Sequence, residues 1–337
     1  MVEPLRNRKI LVTGGNGYLA SSLLRCLIAE HCTVVRFGRK GTSWTRTTAI
    51  RGSEVREVEG DIRDQGIWDS LLDGTDIVFH FAAQTSVYRA ASEPVEDLKV
   101  NVLPMLNMLE ACRRGSFKPI ILFSGTHTEA GIPDHLPVNE EHPDRPVTVY
   151  DIHKLMSENY LKQYVKEGTV RGATLRLANV YGPGPKSSNA DRGMLNQMVR
   201  KAMNDEPITI HGDGNFTRDY IYVDDVSNAF LAAASNIERV NGGHFVVGSG
   251  KGYTLSHAFN LVADRVGRKT GKKVMVTHVE PPASLSPIES RNFVADSSLF
   301  SKLTQWEPRI GLDRGIDLTI ESFLREREQR PAYEESR

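Results

Sequence analysis

Tyr150 and Lys154 form a YxxxK motif at the predicted start of a helix. Residues four positions apart lie on one helical face, so the lysine ammonium group would lie beside the tyrosine phenol. A neighbouring positive charge favours the phenolate, which makes tyrosine a usable general base or acid near neutral pH. The motif therefore predicts proton transfer to or from a substrate hydroxyl group.

A set of hydroxyl side chains lies upstream, where a predicted strand ends. Ser124, Thr126 and Thr128 occupy alternate positions, so an extended segment would place all three on one face. A hydroxyl group at this edge could bond a substrate alcohol and share its proton with Tyr150. The period of two does not choose among the three residues.

The segment TGGNGYLA at residues 13–20 places glycines directly between a predicted strand and a predicted helix. Gly14 and Gly17 allow positive φ and let the backbone approach a pyrophosphate closely. Tyr18 and Leu19 open the helix, whose free N–H groups and dipole would stabilise phosphate charge. A plain tight turn would also explain the glycines alone, but the strand–loop–helix order favours a dinucleotide-binding loop.

The end of the second strand indicates which dinucleotide is bound. An acid that accepts from the adenosine ribose usually stands here, but this chain has Gly38 followed by Arg39 and Lys40. Two cations would bond a 2′-phosphate. We therefore favour NADP(H) over NAD(H); the alternative is that both cations are solvated surface residues.

Asp61 and Ile62 follow the third predicted strand within the segment GDIRD. An acid at this strand tip could accept a hydrogen bond from the adenine amine, so both residues are cofactor-binding candidates. An ordinary loop or helix-capping role fits the spacing equally well.

Short apolar runs alternate with longer amphipathic stretches in the first half of the chain. This alternation predicts an α/β protein with a Rossmann-like, doubly wound parallel sheet. The predicted strands of this half are Lys9–Thr13, Thr33–Phe37, Val55–Glu59, Ile77–Phe81, Ile120–Phe123 and Ala173–Leu177. The predicted helices are Tyr18–Glu30, Pro94–Arg114 and Tyr150–Lys166, and residues 126–149 are expected to form a long loop.

The pattern changes after residue 178. We expect a dinucleotide-binding domain at residues 1–178, including the catalytic helix at 150–166. Residues 179–337 are expected to form mainly a smaller α/β substrate lobe, with some segments returning to the main sheet. Its predicted strands lie near Ile208–Ile210, Asp219–Tyr222, His244–Val247 and Val274–Thr277, and its helices near Gly193–Asn204, Val226–Asn236, Leu255–Val266 and Leu312–Arg325.

Composition excludes several partner classes. The chain has 337 residues, with 42 Lys plus Arg and 42 Asp plus Glu, so nothing global attracts nucleic acid or an anionic membrane. Its three cysteines show neither a disulfide framework nor metal-ligand spacing, and we expect no metal site. The first residues carry no signal sequence, and no stretch approaches the roughly 20 apolar residues of a membrane span. We therefore expect a cytoplasmic protein.

The motifs together resemble the NAD-dependent epimerase/dehydratase family, the extended short-chain dehydrogenase/reductases that act on nucleotide sugars. The resemblance runs from about Lys9 to Phe323. The matching segments are TGGNGYLA at 13–20, GDIRD at 60–64, HFAAQ at 80–84, FSGTHTEAG at 123–131, YDIHK at 150–154, RLANVYGPG at 176–184, GDGNFTRDYIYVDDV at 212–226 and RNFVAD at 291–296.

The resemblance implies a role for individual residues. The catalytic set falls on Thr126, Tyr150 and Lys154, and Lys154 would also hold the nicotinamide ribose. The residues implied to lie against the cofactor are Ala82 and Ala83. The residues implied to bind the nucleotide sugar are Gln84, Asn179, His211, Arg218 and Arg291. Two arginine forks suit a pyrophosphate physically.

This chain departs from the family pattern after the catalytic threonine. Dehydratases carry Asp-Glu there for the removal of water, and decarboxylating relatives carry Glu at the second position. Here those positions are His127 and Thr128, and Glu129 is one residue out of register. We therefore discount both dehydration and decarboxylation.

Three functions remain open. The first is a nucleotide-sugar epimerase, in which Tyr150 takes a proton from a sugar hydroxyl, at C4, during transient oxidation. The second is an NADPH-dependent ketoreductase of a nucleotide-activated keto-sugar, with Tyr150 as acid; the basic pair after Gly38 favours this one. The third, a non-catalytic cofactor-sensing protein, is disfavoured by the intact Thr/Tyr/Lys set. The family also implies a homodimer through helices near 94–114 and 150–166, although these helices could instead only pack on the sheet.

Overall fold

The computed structural model describes residues 5–27, 30–41, 53–185, 193–282 and 284–328. The described strands are β1 Lys9–Thr13, β2 Thr33–Gly38, β3 Glu54–Glu59, β4 Ile77–His80, β5 Ile120–Thr126, β6 Arg171–Leu177, β7 Asn179–Tyr181, β8 Ile208–His211, β9 Thr217–Tyr222, β10 His244–Val247, β11 Gly252–Thr254 and β12 Val276–Val279.

The described helices follow the same chain order. They are α1 Tyr18–Leu27, α2 Ile67–Leu72, α3 Val87–Ser92, α4 Pro94–Asn101, α5 Leu103–Gly115, α6 Val149–Lys166, α7 Met194–Met203, α8 Val223–Ser235, α9 Ile237–Val240, α10 Leu255–Thr270, α11 Ser298–Thr304 and α12 Leu312–Glu328. Residues 28 and 29, the end of the first predicted helix, lie outside the described residues.

The main sheet has seven parallel strands in the order β10-β6-β5-β4-β1-β2-β3. Ile10, Leu11 and Val12 of β1 are fully buried because helices cover both faces, as continuous apolar strands require. The predicted Rossmann-like α/β fold is therefore confirmed. The strand order reverses between β1 and β4, and ligands bind at such a switch point, beyond the carboxyl ends of the strands.

The second half of the chain contributes to the main sheet and also forms two small sheets. The strand β10 pairs with β6 in the main sheet, and α8 packs against α1. Two small sheets, β11-β9-β7 and β12-β8, lie apart from it. These sheets share a hydrophobic cluster with α7, α10 and α12. The cluster therefore joins the two small sheets to the helices that pack on them.

Several predicted elements differ from the structure in their bounds or in kind. The predicted helix Pro94–Arg114 is divided into α4 and α5 at Val102, because Pro104 has no N–H to continue the first helix. The loop expected at 126–149 begins with a 3₁₀ turn at His127–Ala130. The strand expected near Val274–Thr277 lies two residues later, as β12. None of the described helices is long and apolar enough to cross a membrane.

Candidate active site

A cleft of about 2000 Å³ opens at the carboxyl edge of the main sheet. Nearly all of the residues singled out from the sequence line it. Those residues are Gly14, Gly17, Tyr18, Leu19, Arg39, Asp61, Ile62, Ala82, Ala83, Gln84, Thr126, Tyr150, Lys154, Asn179, His211, Arg218 and Arg291. Lys40 differs from them: it lies in the exposed turn after β2 and is not part of the cleft lining.

The glycine loop fits closely against the end of β4. Gly14 has a φ of 66°, and a Cβ atom there would lie 2.8 Å from the backbone nitrogen of Ala82. At Gly17 a Cβ would lie 2.8 Å from the carbonyl oxygen of Gly14. The side-chain Nδ2 of Asn16 is buried without a hydrogen-bond partner among the described residues. A backbone cradle at the start of α1, with an unused donor, fits a dinucleotide pyrophosphate.

Arg36 is a site residue that the sequence patterns did not reveal. It lies on β2 with no exposed surface, under the glycine loop. Its Nε donates to the Gly15 carbonyl at 2.7 Å, and one terminal nitrogen donates to the Asn16 side-chain oxygen at 2.7 Å. A fixed guanidinium group therefore holds the loop in shape.

The two candidates at the adenosine end have different surroundings. Arg39 lines the cleft directly after β2, and the last residue of β2 is Gly38 instead of an acid. The Asp61 carboxylate bonds the Arg63 guanidinium, with a shortest distance of 2.5 Å. Arg63 is also the main reason why the pKa of Asp61 lies below its usual range. An acid already paired in this way is a weaker candidate for an adenine contact than its position alone suggested.

The helix α6 is held in place at its first turn and along its inner face. The Thr148 hydroxyl caps the helix by accepting from the Asp151 N–H at 3.2 Å. His153 bonds the buried Asp97 carboxylate of α4 at 2.6 Å, and Ser157 bonds the Asn101 carbonyl at 2.6 Å. These contacts to α4 position the two candidate catalytic residues that α6 carries.

Tyr150 and Lys154 lie on the cleft side of α6 and are almost completely buried, at 6% and 2% exposure. The Lys154 ammonium nitrogen lies 4.0 Å from the centre of the Phe123 ring, a cation–π contact that stabilises the buried charge. Below it, burial and the Lys154 charge lower the pKa of His80 to about 3. His80 is therefore neutral, whereas Lys154 carries a positive charge.

The structure separates the three hydroxyl candidates. Thr126 ends β5 and, like Ser124, lines the cleft. Thr128 lies in the 3₁₀ turn, where the extended backbone has ended. Its hydroxyl donates to the Asp151 carboxylate at 2.5 Å instead of facing the cleft. The 3₁₀ turn therefore replaces the extended segment that would have placed all three on one face.

A buried ion network lies beneath Thr126. Glu129 has no exposed surface, and its carboxylate accepts from the Thr126 N–H at 2.8 Å. The same carboxylate lies 3.0 Å from the Arg176 guanidinium, which also bonds Glu158 at 2.6 Å. Burial and the charge of Glu158 raise the pKa of Glu129 well above its usual value. Glu129 thus supports the strand end and is not part of the cleft lining, which gives no support to Glu129 as an acid–base residue.

The two candidate arginines of the substrate side are held by a single segment. Arg218 of β9 donates to the carbonyl of Glu289 at 2.6 Å and also to the Arg291 carbonyl. Arg291 donates to the Ile288 carbonyl at 2.6 Å and to His127 Nε2 at 2.9 Å. The structure brings both guanidinium groups to the same wall of the cleft, where they are 2% and 5% exposed.

His127 contributes to this wall in a way that the sequence did not show. Its Nδ1 lies 2.8 Å from the Leu177 carbonyl, which can only accept, so Nδ1 carries the hydrogen. Its Nε2 then accepts from Arg291, and its ring packs against Phe293. His127 therefore occupies the position of the dehydratase Asp as a neutral partner of an arginine.

The remaining candidates for substrate binding differ in whether their polar side-chain atoms already have hydrogen-bond partners. The Asn179 side-chain oxygen on β7 is buried and has no hydrogen-bond partner in the described ranges. The Gln84 amide is already bonded to the Ser86 backbone and to Asp97 at 2.6 Å. His211 lies exposed at the end of β8. Asn179 is therefore the best placed of the three to accept from a ligand.

The sequence matches the NAD dependent epimerase/dehydratase family over residues 10–248, and the chain belongs to that family. One relative is a putative UDP-glucose 4-epimerase of Methanocaldococcus jannaschii. It is 32% identical over 77% of this chain and 82% of its own length. The UDP-glucose 4-epimerase of Mycolicibacterium smegmatis is 28% identical over 94% of this chain and 98% of its own.

The fold agrees with a solved structure of the same kind. The UDP-glucose 4-epimerase of Thermotoga maritima, in complex with UDP-glucose, superposes with a TM-score of 0.81 at 29% identity. The match covers 94% of this chain and 99% of that one. The family membership expected from the motifs is thus confirmed across almost the whole described fold.

Proposed function

We propose that this protein is a nucleotide-sugar epimerase that works by transient oxidation at the sugar C4. The observation that carries the proposal is the convergence of three groups on one cleft. These groups are the glycine loop, the Thr126–Tyr150–Lys154 set and the two buried arginines. The relatives named as UDP-glucose 4-epimerases support the reaction class.

Each residue has a defined task in this proposal. The glycine loop holds the pyrophosphate of a nicotinamide dinucleotide, which when bound accepts a hydride and returns it. Tyr150 removes the proton of the C4 hydroxyl and later gives it back, while Lys154 favours the phenolate and holds the nicotinamide ribose. Thr126 bonds the reacting hydroxyl. Arg218 and Arg291 bind the diphosphate of the nucleotide sugar, where an arginine fork matches two phosphate oxygens. Asn179 donates to the diphosphate through its side-chain amide nitrogen, and its buried oxygen is left to accept from a hydroxyl group of the substrate.

The test is an interconversion assay without added cofactor. Purified protein is mixed with UDP-glucose or with UDP-galactose, and the anomeric proton signals are followed by NMR. We expect both reactions to reach one common mixture. If neither these nor the dTDP-, CDP-, GDP- and ADP-hexoses are converted, the proposal of an epimerase is wrong.

A second candidate is an NADPH-dependent ketoreductase of a nucleotide-activated keto-sugar. The observation that favours it is the cleft-lining Arg39 beside Gly38, which suits a 2′-phosphate, because cellular NADP is mostly reduced. Lys40, outside the cleft lining, no longer supports the preference for NADP(H). The candidate predicts oxidation of NADPH in proportion to added keto-sugar nucleotide, which a loss of absorbance at the reduced nicotinamide band would measure.

We also propose that the protein is a homodimer formed through α4, α5 and α6. These neighbouring helices expose the apolar side chains of Val95 and Ile152, at 64% and 44%, which a partner subunit would cover. Light scattering coupled to size exclusion should give twice the chain mass. Val95→Asp with Ile152→Asp should give the chain mass, and a monomeric wild-type protein would contradict the proposal.

A further inference from the structure

The imidazole ring of His127 lies between the end of β6 and the guanidinium group of Arg291. His127 follows Thr126 directly, lines the cleft and is 7% exposed. Its Nε2 lies 2.9 Å from a terminal nitrogen of Arg291 and 3.1 Å from the Nε atom of the same side chain. Its Nδ1 lies 2.8 Å from the carbonyl oxygen of Leu177. Both ring nitrogens thus contact the protein.

These two contacts determine which nitrogen of His127 carries the hydrogen. A carbonyl oxygen only accepts hydrogen bonds, so Nδ1 carries a hydrogen and donates it to Leu177. A guanidinium group only donates, so Nε2 presents its lone pair to Arg291 and carries no hydrogen. His127 is therefore a neutral acceptor toward Arg291. Because both ring nitrogens are used in this way, His127 acts on a ligand through Arg291.

Arg291 is also held from a second side. One of its terminal nitrogens donates to the Ile288 carbonyl at 2.6 Å, and the centre of the His127 ring lies 4.3 Å from that of Phe293. A long side chain that is ordered only on binding loses rotamer freedom, which weakens the affinity for the ligand. A guanidinium group that is already held by His127 and Ile288 avoids this loss.

The neutral state of His127 matters because this wall of the cleft already contains a carboxylate. Glu289 lies 3.8 Å from the guanidinium group of Arg218. An acid at position 127, as in the dehydratases, would also hold Arg291, but it would place a second negative charge where an anionic ligand is expected. A neutral imidazole holds the guanidinium group without adding that charge.

We propose that His127 is a positioning residue, which holds Arg291 as a neutral acceptor and thereby sets the affinity of the cleft for the diphosphate of the substrate. The inference rests on the proposed function, in which Arg291 binds this diphosphate. The diphosphate takes no part in the bond changes at C4, so it is bound equally in the ground state and in the transition state. Loss of the contact should therefore raise KM and leave kcat nearly unchanged.

Three substitutions of His127 separate position from charge. His127→Gln places a neutral amide oxygen where Nε2 lies, whereas His127→Asn extends only as far as Nδ1 and loses the acceptor for Arg291. His127→Glu has the shape of the Gln variant but adds a negative charge. All three remove the ring that packs on Phe293, so this loss does not distinguish them.

The measured quantities are the Kd for UDP, by calorimetry, and KM and kcat for the nucleotide sugar. We expect His127→Asn and His127→Glu to raise Kd and KM about tenfold, whereas His127→Gln stays within about threefold of wild type. We expect kcat to stay within about threefold in all three variants. If wild type does not bind UDP, then dTDP, CDP, GDP and ADP are used in its place, and binding of none of them overturns the inference.

His142→Asn is the matched control. His142 is also a buried histidine, 5% exposed, whose Nδ1 lies 2.9 Å from a carbonyl oxygen, that of Pro143, but it is not part of the cleft lining. This variant should leave the Kd for UDP unchanged. In an Arg291→Ala background, His127→Asn should cause no further loss of UDP affinity, because His127 acts through Arg291.

Two results overturn the proposed positioning role. One is a His127→Gln variant that binds UDP as weakly as His127→Asn, because the acceptor would then not matter. The other is an equal loss of affinity for His127→Asn with and without Arg291. A His127→Glu variant that binds UDP as tightly as His127→Gln overturns the requirement for a neutral acceptor.

Nitrogen-15 NMR of the histidine rings in the wild-type protein tests the geometry without any activity. We expect a neutral His127 ring with its hydrogen on Nδ1. An imidazolium ring, or a hydrogen on Nε2, overturns the inference. If wild type converts no nucleotide sugar but the Gln and Asn variants differ in UDP affinity as expected, the proposed epimerase fails while the role of His127 stands.

Discussion

The two walls of the cleft, to which the proposed function assigns the cofactor and the substrate, are built in different ways. The cofactor wall is mainly backbone: Gly14 approaches Ala82 so closely that a single Cβ would collide with it. The substrate wall is mainly side chain: Arg218 is held by carbonyl groups of Glu289 and Arg291, which follow it by about seventy residues. Backbone recognition is encoded by contiguous residues, whereas side-chain recognition needs segments that only the fold brings together. Substitutions should therefore change the affinity for the dinucleotide and the affinity for the nucleotide sugar separately.

The largest effect is expected at Tyr150, which lines the cleft and is the proposed proton-transfer group. Tyr150→Phe removes the proton-transfer group but retains the ring, so kcat should fall by about 10²–10⁴ while the Kd for dinucleotide and for UDP stays within about twofold. Steady-state kinetics and calorimetry measure these quantities. Tyr160→Phe on the same helix is the matched control and should behave as wild type. A Tyr150→Phe rate within tenfold of wild type would remove Tyr150 from the catalytic set.

The next largest effect is expected from a substitution in the cofactor wall. Gly14→Ala places a methyl group 2.8 Å from the Ala82 nitrogen at a φ of 66°, so dinucleotide affinity should fall at least about tenfold. Gly74→Ala is the matched control, because its φ of 62° is similar but nothing lies within 4 Å of its added Cβ. It should cost about 1–2 kcal/mol of stability and no affinity. Equal dinucleotide affinities in the two variants, measured by calorimetry, would show that the close approach does not matter.

A substitution in the substrate wall should weaken binding of the nucleotide sugar and leave binding of the dinucleotide unchanged. Arg218→Lys loses the planar fork and the bonds to residues 289 and 291, so KM for the nucleotide sugar should rise about tenfold. The Kd for the dinucleotide should not change. Arg265→Lys is the control, because the ion pairs of Arg265 with Asp313 and Asp317 lie outside the cleft. A loss of dinucleotide affinity in Arg218→Lys would contradict the separation of the two walls.

The smallest effect is expected at the adenosine end of the cofactor wall. Gly38→Asp with Arg39→Ala supplies the acid that bonds a ribose 2′-hydroxyl and removes the cation that suits a 2′-phosphate. The ratio of the two dissociation constants should shift several-fold toward NAD(H). Titration with both dinucleotides measures it. An unchanged ratio would mean that Arg39 is a surface residue with no role in cofactor choice.

The sequence was sufficient for the parts of the molecule that depend on local pattern. The apolar runs of β1, β2 and β4, and the strand–loop–helix order at residues 13–20, each follow from a few neighbouring residues. Short elements were missed: α3 has six residues and β7 has three, too few to show a clear period. The break between α4 and α5 could have been expected from Pro104.

The parts that could not be predicted are those that depend on long-range pairing. The sequence showed that His127 and Glu129 depart from the dehydratase pattern, but not that they bond Arg291 and Arg176. Arg36 gave no signal at all, because a charged residue in a strand rarely indicates a support under a loop. Thr128 was placed with the cleft hydroxyls because alternation holds only while the backbone stays extended. The 3₁₀ turn begins one residue earlier, at His127, and directs the Thr128 hydroxyl toward Asp151.

We propose that the cleft recycles one bound dinucleotide during epimerisation. Mass spectrometry of the small molecules released on denaturing the purified protein tests it most directly. We expect close to one dinucleotide per chain in oxidised form, and the mass of the 2′-phosphate distinguishes NADP from NAD. A site without dinucleotide that fills only on addition of NADPH, and then consumes it with a keto-sugar nucleotide, would contradict the epimerase and support the ketoreductase.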